Sequence, residues 1–583
     1  MIDPREPHGA EPTSASHRAP TAVDAVAEAY VERLAEVFPE FALYSGLPGR
    51  AGALDDYSPA GADALAELRA EALAALAATA SADDVDRVTI VAMRERFGVE
   101  EELHEAGEDL RALNNIASPI QTIRDTFDNH PMATTGDWED FASCLRAVPG
   151  ALAGHRDSLR VAAARGPPPA ARQVRACLKQ AEDQAAEASS SFTTLIEGAS
   201  LADGESLPAA LTAELREAAS LARAAYAEAA RWLAAEVAPT ATSDDAVGRE
   251  RYELFSREFL GARIDLDETY EWGRERLAAI DAEQRAIAAS LYGSGTTVAE
   301  ALDRLGADAS RQVHGTAALQ AWMQETSDAA IAALDGAQFD IPAPLRALEC
   351  RIAPSSTGGI YYTAPSDDFS RPGRMWWSIP AGTQDFATWQ ERTTVFHEGV
   401  PGHHLQIGMQ TLLRDELNSW RRHGCWVSGH GEGWALYAER LMADLGFQED
   451  PADRMGMLDS QRLRAARVVL DIGVHLRKER PAELAALPGV GEGRWDAASA
   501  WEFLRGNAAM DESFLRFELD RYLGWPGQAP SYAVGQRLWE KARDASLAAA
   551  RAAGADDSLK AFHARALRLG SVGLDVMREA LVA

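Results

Sequence analysis

His397-Glu398-Gly399-Val400-Pro401-Gly402-His403-His404 puts three imidazoles and a carboxylate within eight residues. A His-Glu pair followed closely by another His is how many hydrolases hold zinc and keep a carboxylate beside the water they activate. In the usual form the second His comes four residues after the first, on the same helix face, but here Pro401 takes that position. On a regular helix His403 lies about 120° off the face of His397, and His404 returns to that face about 10 Å further along the axis. Zinc holds its nitrogens at about 2.0–2.1 Å, so two ligand nitrogens sit roughly 3–3.5 Å apart. Neither pair can share an ion on an undistorted helix. Pro401 removes a backbone donor and Gly402 loosens the chain, so a bulge is expected here. Either His403 or His404 can then be the second ligand, the other facing substrate or supporting the site from behind.

A catalytic zinc keeps three protein ligands and an open position. Glu432 is the best third ligand, since Gly429, Gly431 and Gly433 around it let backbones approach closely. Glu439, seven residues on and on the same face, is placed to orient a ligand imidazole from behind. Glu398 is the candidate general base. Arg464, Arg467, Asp471 and His475 recur at helical spacing, with Asp471 placed to orient His475, a candidate catalytic group for stabilising the oxyanion, and Arg467 to receive a substrate carboxylate or an oxyanion. Arg521, Tyr522 and Tyr532 flank a Pro- and Gly-containing loop, and either tyrosine could donate to a tetrahedral oxyanion. Each residue also has an ordinary alternative: a helix-dipole carboxylate for Glu432, a solvated charge for Glu398, an ion-paired face for the arginines, packing for the tyrosines. Six of the thirteen histidines fall between positions 397 and 475, which favours a site over scattered core residues.

The surrounding chain reads as mainly α. Val23–Phe38, Ala62–Ala78 and Ala209–Glu236 are rich in Ala, Leu and Glu, with apolar residues three and four apart. Asp385–Phe396 reads as a helix leading into the His-Glu pair; helices are also expected over Leu405–Arg422, Glu432–Leu445, Met455–Arg477, Ala498–Arg505 and from Tyr532 onward. Three short aromatic and β-branched runs, beginning at Arg351, Gly359 and Arg374, predict a small sheet just before the motif, with Tyr362 in reach of a substrate. An extended peptide can pair with the edge of such a sheet. The expected organisation is a disordered arm over 1–22, a helical lobe over 23–345 and a catalytic lobe over 346–583.

With 57 basic against 89 acidic residues, the net charge of −32 argues against nucleic acid or an anionic membrane as partner. The start of the chain has no apolar leader core, and Cys144, Cys177, Cys350 and Cys425 are widely spaced. A cytoplasmic enzyme is the simplest expectation, with a homodimer left open.

Together these motifs resemble the DUF885 family of zinc-metallohydrolase-like proteins, which carry a His-Glu-x-x-Pro-Gly-His-His signature. The match extends to Glu432–Glu439, Arg464–His475, Arg521–Tyr532 and Ser370–Gly373. The resemblance implies a large, two-lobed helical fold like the gluzincin peptidases, with a cleft and one zinc ion, other divalent ions being compatible with such a donor set. By that likeness Gly402-His403 supplies the second ligand. The implied activity is hydrolysis of short peptides. The alternatives are a dedicated amide hydrolase acting on one small metabolite and, from another class, a non-catalytic helical metal-binding protein.

Overall fold

The computed structural model describes residues 18–353 and 359–582. Most of the expected arm lies outside the described residues; within them, Arg18 already pairs with Asp24, Asp83 and Asp86, and the first helix starts at Ala22 behind a Thr21–Asp24 capping box.

The architecture is mainly helical with two small sheets. Pro451–His475 is the central helix. Asp450 caps it and Pro451 opens it, as suits a position with no amide bond to lose. Val468, Val469 and Leu470 are all fully buried, so this stretch is apolar all round and other helices must cover it on every side. Leu266–Tyr292, Thr388–Glu398 and Ser531–Ala553 pack against it. The largest hydrophobic cluster draws on residues from Val23 to Leu581. A separate cluster joins helices between Pro119 and Trp232 around Phe127, Phe141, Phe192 and Tyr226.

The larger sheet has the order 348–352, 373–377, 360–363. Leu348–Ile352 runs parallel to Gly373–Trp377, and Ile360–Thr363 pairs antiparallel with the other side of that strand, Tyr362 opposite Met375. Ile360–Thr363 is therefore an edge strand. The second sheet, Gln312–His314 with Asp385–Ala387, is absent from the sequence reading, which gave Asp385–Ala387 to the helix; the helix starts at Thr388. Three residues with one buried side chain, Phe386, carry too little alternation to mark a strand.

Helices Ser428–Asp444 and Ser531–Ala553 meet backbone to backbone. A Cβ on Gly535 would lie 2.3 Å from the Gly429 carbonyl oxygen, and one on Gly433 2.5 Å from the Gly535 carbonyl carbon. This seam fixes the segments carrying Glu432 and Tyr532 relative to each other.

Candidate metal centre

The helix that should bulge at Pro401 ends instead. Thr388–Glu398 stops at Gly399, the Val400–Pro401 peptide is cis, and a new helix, His403–Leu412, begins after Gly402. The break is closed by Gly402 N donating to Phe396 O (3.1 Å) and by Trp434 Nε1 donating to Pro401 O (2.8 Å). A Cβ at residue 402 would lie 1.9 Å from the His397 carbonyl oxygen, so only glycine fits where the second helix folds back on the first. The result is the juxtaposition a straight helix forbids: the His397 and His403 rings lie 4.8 Å apart, nearly perpendicular.

Glu432 completes the group from the next helix. Its Oε2 is 3.4 Å from His397 Nε2 and 3.7 Å from His403 Nε2, and one donor atom from each of the three residues lies within 4.8 Å of the others. Two imidazoles and a carboxylate at this spacing could hold a divalent ion. Glu439 Oε1 accepts from His397 Nδ1 (2.8 Å), and Thr393 Oγ1 donates to Glu439 Oε2 (2.7 Å). That chain holds a proton on His397 Nδ1, so Nε2, which faces Glu432, is the nitrogen an ion would take in place of its proton.

His404 is arranged differently. Its Nε2 donates to the Leu345 carbonyl (3.0 Å) and its Nδ1 faces the Tyr362 hydroxyl (3.0 Å). Both nitrogens are engaged, the ring is fully buried, and burial lowers the imidazole to about 4. His404 ties the sheet to the helix and has no lone pair to give an ion. The choice the sequence left open falls to His403.

The electrostatics fit a cation. Burial works against a protonated His397, but hydrogen bonds with Glu432 and Glu439 outweigh it and hold the imidazole up to about 10. Burial likewise opposes an ionised Glu432, yet the bonds to His397 and His403 hold its carboxyl far below the usual range. Glu398, 6% exposed, is pushed up by burial, and its Oε2 has no hydrogen-bond partner; neither does His403 Nδ1. Among the described residues no Lys or Arg pairs with Glu398, Glu432 or Glu439. Without a Lys or Arg, only protonated imidazole offsets these carboxylates, and a divalent ion at the imidazoles would take over that role.

His397, Glu398, His403, Glu432 and Tyr532 line one cleft of about 1350 Å³, and the edge strand Ile360–Thr363 lines it too. Tyr532 sits under the Arg467 guanidinium, 5.2 Å from carbon to ring centre, and its hydroxyl makes no hydrogen bond among the described residues. Tyr362 and Arg467 also line the cleft. Arg467 donates to the Tyr522 hydroxyl and to Glu518 (both 2.5 Å), and Arg521 lies 3.3 Å from the same carboxylate. Tyr522 is fully buried and donates to Glu518, so it sits behind Arg467 and away from the cleft surface.

His475 is not brought to the cleft. It is fully buried, with Nε2 donating to the Tyr522 carbonyl (3.0 Å), and burial lowers it to about 4. Nor does Asp471 orient it: Asp471 Oδ1 accepts from the Tyr252 hydroxyl (2.6 Å) and the Gly527 amide (3.1 Å). Residues four apart share a helix face, but at this densely packed end other segments offer each a nearer partner.

Sequence reasoning missed Thr393, Glu518 and Trp434. Thr393 was findable, being one turn before His397 on its own face. Glu518 precedes Tyr522 by one turn, but nothing in the sequence links it to Arg467.

No curated protein matches the chain. Among solved structures, a candidate lipoprotein from Colwellia psychrerythraea superimposes with a TM-score of 0.79 at 22% identity, over 96% of this chain and 98% of that one. A candidate lipoprotein of unknown function from Shewanella oneidensis gives 0.73 at 15% identity, over 97% and 100%. These likenesses concern the fold. The profile of DUF885, described as a bacterial protein of unknown function, matches residues 39–581, and the chain belongs to that family.

Proposed function

We propose that this protein is a metal-dependent hydrolase, with zinc as the first candidate ion, cleaving amide bonds of short peptides in a gluzincin-like manner. One observation carries the reading. His397, His403 and Glu432 converge within 4.8 Å beside a buried carboxylate, Glu398, that has an unpartnered oxygen and faces the same cleft. A structural metal site has no use for such a base.

A divalent ion held by His397, His403 and Glu432 would supply Lewis acidity toward a carbonyl oxygen and a water. Glu398, whose oxygen lacks a partner in the cleft, takes the proton of the attacking water and returns it to the leaving amine. Tyr532 offers its free hydroxyl to the developing oxyanion. Glu439 and Thr393 hold His397 in the required tautomer, and Arg467, clamped by Glu518 and Tyr522, steadies the Tyr532 ring.

Cleft size favours a peptide over one small metabolite. About 1350 Å³ exceeds the roughly 300–1,000 Å³ of a small-ligand pocket. The edge strand Ile360–Thr363 lies along it, where an extended chain can pair.

The test combines metal analysis of the purified protein with hydrolysis of a short-peptide library before chelation, after it, and after zinc is restored. One bound ion per chain, with activity lost and regained, is expected. Full activity in a rigorously metal-free preparation sinks the proposal. Cytoplasmic residence stays our reading from four free, buried cysteines; because both structural likenesses are to proteins described as lipoproteins, cell fractionation is the deciding measurement.

A further inference from the structure

The cleft holds two more carboxylates that the chemistry above does not use. Glu391 lies on the helix of His397, seven residues before Glu398 and on the same face, which places it about 10 Å from the base along the axis. Asp459 lies on the central helix, eight residues before Arg467. Both line the cleft.

The two helices bring them to the same end. Gly456 sits against the other helix so closely that a Cβ there would be 2.2 Å from the Trp389 carbonyl oxygen and 2.9 Å from Gln390 Cα. Glu391 follows this crossing on one helix, and Asp459 is one turn past it on the other.

Neither carboxylate is satisfied within the protein. Among the described residues Glu391 makes no hydrogen bond or ion pair, and burial alone pushes its carboxyl up to about 7. Asp459 is only 7% exposed and accepts no hydrogen bond; burial raises it to about 6, against the opposing field of Arg462 and Arg464. Arg464 is engaged with Ser460, and Arg462 with Asp281 and Asn507. Asp459 is thus a buried carboxyl without a partner, costly to keep unless a ligand completes it, and the half-buried Glu391 lines the same cleft. Arg464 also lines the cleft and opposes this negative charge, but it is held by Ser460, while Arg422 lies beside Gln410.

We propose that Glu391 and Asp459 form a subsite for a cationic group of the substrate, a primary amine or a guanidinium, about 10 Å from the cleaved bond. Resting on the hydrolase reading, this narrows the substrate class. In an extended peptide about 3.3–3.6 Å per residue separates successive positions, so the cation belongs to the third residue from the cleaved bond or to an amino terminus at that distance. Charge-assisted hydrogen bonds in a partly desolvated pocket favour such a group over a neutral isostere by about ten- to a hundredfold.

The experiment uses full-length, zinc-loaded Glu398→Gln protein and fluorescently labelled hexapeptides. These carry lysine, norleucine or glutamate at each position in turn, and binding is read by anisotropy. Binding is expected to be tightest with lysine at one position, and the preference should disappear in the Glu391→Gln/Asp459→Asn double variant. Thermal melting of the variant controls for folding, and because both replacements are near-isosteric and remove unpartnered charges, its midpoint should not fall. Equal binding of lysine and norleucine peptides, or a lysine preference that survives the double variant, overturns the subsite. So does a second divalent ion per chain that is lost in the double variant, since a metal would then be the occupant. The hydrolase reading fails separately: a lysine preference with no cleavage by the wild-type protein leaves the subsite standing without it, and cleavage indifferent to charge does the reverse.

Discussion

Two buried polar clusters, His397–His403–Glu432 and Arg467–Glu518–Tyr522, use similar residue types and end in different states. Around the first, Glu398, Glu432 and Glu439 gather about two imidazoles, and among the described residues no Lys or Arg pairs with them. In the second, Glu518 lies between Arg467 at 2.5 Å and Arg521 at 3.3 Å, with the Tyr522 hydroxyl as a further donor. Burial is almost equal: Glu398 and Arg467 are each 6% exposed. Burial alone therefore does not separate chemistry from scaffolding. Charge balance does, because the second cluster contains fixed Arg cations, whereas the carboxylates of the first have only titratable imidazoles, the place a metal ion would take.

The hardest blow to this contrast is at the ligands. His403→Ala should abolish stoichiometric metal binding, while His404→Ala keeps the ion and loses stability, having cut the bond to Leu345. Metal content and melting of the two variants, measured side by side, reverse the assignment if His404→Ala is the one that loses metal. Glu398→Gln is expected to retain the ion and the fold and to slow peptide hydrolysis by about 10²- to 10⁴-fold. Unchanged turnover in that variant removes Glu398 from the mechanism. Glu439→Gln should weaken metal affinity by about 10- to 100-fold, as the acceptor behind His397 Nδ1 loses its charge; competition with a chromophoric chelator measures this. The smallest effect belongs to the closed cluster. Tyr522→Phe should cost about 1–3 kcal/mol of stability by denaturant unfolding and leave metal content unaltered. Loss of metal there would mean that the two clusters are one unit.

The chain made some of this readable in advance and hid the rest for identifiable reasons. His397, Glu432 and a second ligand from His403 or His404 followed from residue types, because Pro401 excludes a continuous helix and a ligand set needs its third member nearby; only the family resemblance favoured His403. The form of the break did not follow. Proline and glycine announce a departure from the helix, but whether it is a bulge or two separate helices depends on what Gly402 packs against, here the carbonyl of His397. Helical segments were visible from their periodicity, and their ends shifted by a few residues where capping decided them, as at Asp450. Asp471 and His475 were grouped by spacing alone, which is blind to Tyr252 and Gly527 arriving from elsewhere. Glu391 and Asp459 looked like ordinary helix charges, since only the fold reveals that they lack partners.

The glycine seam between Ser428–Asp444 and Ser531–Ala553 bears on how the cleft of this protein could be redesigned. Backbone touches backbone there, so no side chain can be trimmed or enlarged to slide Glu432 against Tyr532. That wall is a fixed datum for any remodelling. Tyr361 and Trp426 at the rim, 40% and 52% exposed, have room to vary. New substrate preferences are therefore best sought by diversifying the rim, with the seam glycines held constant in every library.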